Sequence, residues 1–206
     1  MESVMIKNIV FDLGGVLVDW DPKYVFRDVF DTETEVDWFL DNICTMAWNV
    51  QQDAGRTLEE ATITLQEKHP EWHAQIAAYY GRWEEMLKGP VQGTLDIFSE
   101  IKASNKFNTF ALTNWSAETF PVAQSKYEFL KWFDGIVVSG IEKCIKPDPR
   151  IYKILLERFA LHPSECLVID DNKSNVAGAL ALGIQAIWFR SSQQLKEDLQ
   201  DMKIIK

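Results

Sequence analysis

The chain has 206 residues, 47% of them hydrophobic, and a formal net charge of −10. That length suffices for one good core, or a core plus a small insert, and the composition is that of a folded protein. The negative balance argues against nucleic-acid binding through a broad basic face, and no apolar run approaches the roughly 20 residues needed to span a bilayer.

The stretch from Met1 to Phe11 carries an acid at Glu2 and no long apolar run with a small-residue cleavage site, so it reads as mature protein. The first predicted strand is Asn8–Phe11, "NIVF", a continuous apolar run that ends on Asp12 and breaks at Gly14-Gly15. From about Trp20 to Gly89 no strand is expected. This region is rich in Trp, acids and helix formers, and "DWDP" and "KGPVQG" bracket it with prolines and glycines suited to hinges. The reading is a helical insert, residues 19–89, in a core made of residues 1–18 and 90–206. Within it, Thr57 is expected to cap a helix, with Glu60 completing a capping box. Past it come a helix at Leu95–Ser104, a strand at Asn108–Thr113, a helix at Ala117–Phe129 and a strand at Gly135–Ser139. A helix at Pro149–Phe159, a strand at Cys166–Ile169, a helix at Asn175–Leu182, a strand at Gln185–Phe189 and a helix at Ser192–Met202 follow. This alternation predicts an α/β fold, a Rossmann-like three-layer core with a parallel sheet. Ligands of such sheets bind beyond the carboxyl ends of the strands, so an insert launched from that edge is a candidate lid. The three cysteines, Cys44, Cys144 and Cys166, form no C-x-x-C pair and are expected to be thiols in a reducing cytoplasm.

Four short stretches fall at or just after predicted strand ends: Asp12 in "VFDLGG", Thr113-Asn114 in "LTNWS", Lys146 in "CIKPDPRIY", and Asp170-Asp171 with Asn175 in "IDDNKSN". Each has a plain structural alternative. Asp12 suits a turn, Thr113 or Asn114 a helix cap, and Lys146 a solvated loop. One of Asp170 and Asp171 could cap the next helix, but adjacent acids at a buried strand end repel unless a cation or donors compensate them. The four together, in this order, favour a site.

In these motifs the sequence resembles the haloacid-dehalogenase superfamily of hydrolases over nearly the whole chain, with the insert resembling its C1-type helical cap. The resemblance implies a Mg²⁺-dependent phosphatase that passes the phosphoryl group through an aspartyl-phosphate on Asp12. It implies metal ligation by Asp12, the Gly14 carbonyl and Asp171, an ion preference that suits an oxygen donor set. It also implies phosphate contacts from Thr113 and Asn114, charge neutralisation by Lys146, and orientation of the ligands by Asp170 and Asn175. The implied partner is a small phosphate ester, without nucleic acid or membrane, in a cytoplasmic monomer or homodimer.

One position departs from the superfamily pattern. The common motif has a second aspartate, an acid/base, two residues after the nucleophile, and here that residue is Gly14. The pattern resembles the glucose-1-phosphate phosphatase-like branch, whose less basic leaving group needs less help from an acid. Asp19, Asp21 or an acid from the lid are candidate replacements. Two other readings stay open: a 2-haloacid dehalogenase, which needs no leaving-group acid, and an inactive phosphate-binding relic. Within the lid, Trp48 is a candidate sugar platform, and Asp53 and Arg56 are candidate ligands for hydroxyls or phosphate. The favoured reading of Asp53-Ala54-Gly55, however, is a simple turn.

Overall fold

The computed structural model describes residues 5–206; the reading of the first four residues lies outside them. In chain order the elements are β1 (Asn8–Phe11), β2 (Val18–Trp20), α1 (Lys23–Phe26), α2 (Glu33–Asn42), α3 (Met46–Asp53), α4 (Leu58–Lys68), α5 (His73–Gly81) and β3 (Leu87–Pro90). They continue with α6 (Gln92–Ser104), β4 (Asn108–Thr113), α7 (Phe120–Lys126), β5 (Gly135–Val138), α8 (Ser139–Glu142), α9 (Pro149–Arg158), β6 (Cys166–Asp170), α10 (Lys173–Ala181), β7 (Gln185–Trp188) and α11 (Ser192–Asp201).

Five strands form one parallel sheet in the order β5-β4-β1-β6-β7. Their uninterrupted apolar runs follow from burial on both faces. Ile9, Phe11, Ala111, Leu167 and Ile169 pack into one apolar cluster. Val10, Phe110, Leu112, Cys166 and Val168 alternate with them and pack into a second cluster on the opposite face. The period-2 alternation of a strand thus sends neighbouring residues to two cores, so both must be apolar. All three cysteines are buried and free.

The register places the chemistry. Phe11 pairs with Ala111 on one side and Ile169 on the other. One step further, Asp12, just past β1, lies level with Leu112 of β4 and with Asp170, the last residue of β6, and Thr113 ends β4 one residue beyond. From β1 the chain goes to β4 and β5 on one side and then crosses to β6 and β7 on the other, so the strand order reverses at β1 and this edge is the crevice.

β2 and β3 pair antiparallel as a two-stranded ribbon, which the sequence reading did not anticipate. Each strand is short, and Asp19, Gly89 and Pro90 lie in it, a composition that carries no strand signal. α1–α5 run between the ribbon strands and share a core of aromatic rings, among them Phe26, Phe39, Trp48 and Tyr79. Thr57 caps α4 by accepting from the Glu60 N–H, but the full reciprocal box forms at Thr32 and Glu35 of α2. The helical segment touches the sheet domain at named points. Ser139 Oγ donates to the Asp53 carbonyl at 2.6 Å, the Leu58 N–H donates to Glu118 at 2.9 Å, and Lys126 pairs with Glu84 at 3.0 Å. No described helix is long and apolar enough to cross a membrane.

Candidate active site

Asp12 follows β1 directly, and its N–H extends the ladder by donating to the Ile169 carbonyl. The chain then turns sharply, with the Leu13 N–H donating to Asp12 Oδ1 at 2.7 Å. Gly15 makes this turn possible. Its φ is +74°, and a Cβ there would lie 2.3 Å from Asp171 Oδ2. A side chain at position 15 would therefore push Asp171 away from the turn, whereas glycine lets the carboxylate of one motif lie against the backbone of the other.

Lys146 is the positive centre of the site. It is 2% exposed, and its Nζ donates to Asp170 Oδ2 at 2.7 Å, to the Leu112 carbonyl at 2.8 Å, and lies 3.0 Å from Asp12 Oδ1. Burial pulls its pKa down, but the charges of Asp12 and Asp170 outweigh burial and hold it above the ordinary lysine value. Lys146 is not a solvated loop lysine. Its backbone is clamped by Asn114, whose amide oxygen accepts from the Lys146 N–H at 2.8 Å while its Nδ2 donates to the Lys146 carbonyl at 3.0 Å. The Asn114 side chain therefore fastens the loop after β4 to the loop that carries the lysine, and it does not cap a helix.

Asp170 is fully buried, and protein donors already fill its oxygens: Lys146 Nζ, Asn175 Nδ2 and the Asn172 N–H. Asn175 is fixed in turn, because its carbonyl accepts from Tyr152 OH at 2.7 Å. The cap of α10 is Asn172, which accepts from the Ser174 N–H; neither aspartate serves that purpose. Asp171 sits at the rim, its carbonyl accepting from Trp188 Nε1 at 2.9 Å.

Oxygen atoms of Asp12, Asp170 and Asp171 lie within 4.8 Å of one another. Three carboxylates at that spacing fit a hard divalent cation. Since Asp170 is committed to protein donors, Asp12 and Asp171 are the ones with capacity to spare, and Asp170 and Asn175 fit the orienting role. Burial first, then Asp170 and Asp171, push the Asp12 carboxyl up to about 7 against the pull of Lys146. Burial and the neighbouring Asp170 also raise Asp171. A cation would relieve both repulsions. A second unfilled function lies beside them: Thr113 Oγ1 is buried without a protein hydrogen-bond partner. An orphan hydroxyl at the end of β4, one residue past the Leu112 carbonyl that accepts from Lys146, suits an oxyanion.

The Asp12 shift has a stability consequence. With its folded pKa near 7 and its ordinary value at 3.8, the folded protein binds a proton that the unfolded chain releases across that window. Stability in chelator should therefore fall as pH rises from about 4 to about 7. Asp12→Asn removes the charge, so thermal unfolding in EDTA should show the variant above wild type at pH 8, with the gap closing as pH falls towards 4. A gap that stays constant would contradict this.

The other sequence candidates sit elsewhere. Trp48 is buried within the helical segment against Tyr79 and Tyr80, with Nε1 donating to the Ala61 carbonyl. Its faces are engaged by neighbours, because a small helical unit has little else to bury. Arg56 turns back along α3 to Gln52 and the Trp48 carbonyl. Asp19 accepts from Tyr24 OH, and Asp21 accepts from the Lys23 N–H; both belong to the ribbon and its exit. Asp53, in contrast, ends α3 against the loops after β4 and β5. A cleft of about 720 Å³ opens between α5, β3 and α7, lined by residues such as Tyr80, Trp83, Lys88 and Glu118. It holds none of the strand-end residues.

The model of the haloacid dehalogenase-like hydrolase family matches residues 6–183 of this chain. The phosphorylated carbohydrates phosphatase of Thermotoga maritima is 24% identical over 186 residues, covering 89% of this chain and 84% of that protein. The glyceraldehyde 3-phosphate phosphatase of Pyrococcus furiosus is 29% identical, covering 95% and 85%. Another match, 47% identical over 57 residues, spans only 5% of a longer Mus musculus protein. Among solved structures, the magnesium complex of a HAD family enzyme from Bacteroides thetaiotaomicron superposes with a TM-score of 0.70 at 24% identity, covering 90% of this chain and 94% of that one.

Proposed function

The chain belongs to the haloacid dehalogenase-like hydrolases, and from that premise we propose that it is a Mg²⁺-dependent phosphatase of small phosphorylated metabolites, sugar phosphates among them. The observation that carries this reading is the Lys146 centre with its carboxylates. A carboxylate approaches a phosphate dianion only where positive charge screens both, and positioning and electrostatics supply most of phosphoryl-transfer catalysis.

Asp12 is the nucleophile: its carboxylate attacks phosphorus, and the ester oxygen leaves. Thr113 Oγ1 and the Asn114 backbone donate to the phosphoryl oxygens. Lys146 holds Asp12 as the carboxylate and offsets charge on the transferring group. Asp12, the Gly14 carbonyl and Asp171 would hold Mg²⁺, which when bound would supply positive charge against the phosphate. Asp170 and Asn175 keep Lys146 and the acidic edge in place. Residues 19–89 act as a cap over this edge, selecting small substrates. The two named phosphatase relatives, which act on phosphorylated carbohydrates and on glyceraldehyde 3-phosphate, support the substrate class. The intact pair Asp170-Asp171 favours metal and phosphate over metal-free halide displacement.

The test is phosphate release from p-nitrophenyl phosphate and a panel of sugar phosphates, with Mg²⁺ or EDTA, alongside halide release from 2-chloropropionate. We expect phosphate release that EDTA abolishes, and no halide. Metal-independent halide release without phosphate release would overturn the reading.

A further inference from the structure

Gly14 leaves the phosphatase reading without a proton donor for the leaving group. The space is open there, with nothing within 4 Å of where its Cβ would sit. Asp19 and Asp21 are engaged in the ribbon. A third acid comes from the helical segment. α3 ends at Asp53, and its last turn is seated on the sheet domain at three points. The Asp53 carbonyl accepts from Ser139 Oγ, the same hydroxyl that accepts from the Trp115 N–H at 2.9 Å. The Asp53 carboxylate lies beside the Ser116 backbone, in the loop that follows Thr113-Asn114. Gly55, at φ +104°, lets the chain pass so close to α8 that a Cβ would lie 2.9 Å from Lys143 Cγ. Asp53 is thus pinned to the loop that carries the orphan Thr113 hydroxyl.

We propose that Asp53, delivered by the helical segment, is the general acid and base of this enzyme, in the role that position 14 cannot fill. This rests on the phosphatase reading. In the first step the protonated carboxyl gives its proton to the bridging ester oxygen as the bond from phosphorus to that oxygen breaks and the bond from Asp12 to phosphorus forms. In the second, the Asp53 carboxylate takes a proton from water as the water oxygen attacks phosphorus. The Asp12–phosphorus bond then breaks, giving phosphate and restoring both acids.

The surroundings suit a group that must exchange a proton near neutrality. Burial raises the Asp53 carboxyl to about 7, opposed by the Ser116 N–H and the more distant charge of Lys146. Tyr79 and Tyr80 of α5 feel its charge, the Tyr80 hydroxyl being bonded to Gln52 and Asn49; Lys143, just past α8, packs against Gly55, and Arg56 turns back to Gln52 and the Trp48 carbonyl. The side chain has no ion-pair partner within salt-bridge distance among the described residues. A general acid works best with a pKa near the operating pH. The placement also couples catalysis to docking of the helical segment, since the acid arrives only when α3 is seated.

Asp53→Asn tests this, with Mg²⁺ present and far-UV circular dichroism confirming the fold. On glycerol 3-phosphate, whose leaving alkoxide is strongly basic, turnover should fall by about 10²–10⁴-fold. On p-nitrophenyl phosphate the first step needs no acid, so the variant should release one equivalent of p-nitrophenol in a burst and then turn over slowly. Gly14→Asp in the Asp53→Asn background should restore turnover, because the room at position 14 accepts a carboxylate. Wild-type rates on both esters, or equal losses on both without a burst, would overturn the proposal. Should Asp53→Asn not fold, the wild-type enzyme decides. A shallow dependence of rate on leaving-group basicity across aryl and alkyl phosphates supports an internal acid, and a steep dependence overturns it. A wild-type enzyme that releases nothing from p-nitrophenyl phosphate would instead sink the phosphatase reading itself.

Discussion

Asp12→Asn should abolish phosphate release from every ester, by on the order of 10⁴-fold or more, as loss of a nucleophile does where the remaining machinery has no substitute. The amide is nearly the size of the carboxylate but cannot attack phosphorus, and it neutralises one oxygen donor of the acidic edge. The protein should stay folded, since Asp12 is a buried acid whose charge opposes folding above its raised pKa. Loss of activity with an intact unfolding transition separates this outcome from collapse of the site. The contrast with Asp53→Asn is diagnostic. Removing the nucleophile eliminates the burst as well as turnover, whereas removing the acid/base retains the burst. Rapid-quench measurement of p-nitrophenol distinguishes the two. A burst from Asp12→Asn would contradict the assignment of the nucleophile.

Lys146→Met should have the largest effect on stability as well as a severe effect on rate. Methionine fills most of the lysine stem but leaves Asp12 and Asp170 facing each other in a buried site without their cation. Removing one partner of a buried charged cluster costs about 3–5 kcal/mol. The midpoint of urea unfolding in EDTA should drop accordingly. The deficit should be greatest above pH 7 and shrink as pH falls towards 4, because protonating Asp12, whose carboxyl burial has pushed up to about 7, relieves the repulsion. Saturating Mg²⁺ should recover part of the stability by binding the folded state, without recovering phosphate release, which loses at least about 10²–10³-fold when such an electrostatic stabiliser is removed. A Lys146→Met protein as stable as wild type in EDTA at pH 8 would contradict the central placement of the lysine.

The sheet was legible in the sequence because its strands are buried on both faces. "NIVF", "GIVV" and "CLVI" must be apolar throughout, and such runs stand out without any long-range knowledge. The strand-end residues were legible for the same reason: Asp12, Thr113 and Asp170 are the first polar residues after apolar runs, and register then gathers them at one edge of the sheet. What escaped depended on contacts distant in sequence. The β2–β3 ribbon joins Val18–Trp20 to Leu87–Pro90, and neither strand has an apolar alternation of its own to announce it. The Asn114 amide clamps Lys146 far along the chain, while its local sequence suits a helix cap equally well. Asp53 was among the lid candidates, with a simple turn as the favoured reading. "DAGR" has the composition of a turn, and it makes one, but that turn carries Asp53 onto Ser116 and Ser139 of the sheet domain. Trp48 illustrates the reverse error: an aromatic beside a polar loop suggested a platform, whereas the helical segment uses the ring to build its own core.

The measurement that tests the account most directly is the search for a phosphoryl group on Asp12 during turnover. Protein mixed with p-nitrophenyl phosphate and Mg²⁺, quenched in acid within the first turnover and digested, should yield the "NIVFDLGGVLVDW" region with one phosphoryl group on Asp12. The adduct should accumulate further in Asp53→Asn and disappear on treatment with hydroxylamine. Phosphate release that proceeds at full rate with no such adduct, in either wild type or Asp53→Asn, would contradict the covalent route and the role given to Asp12.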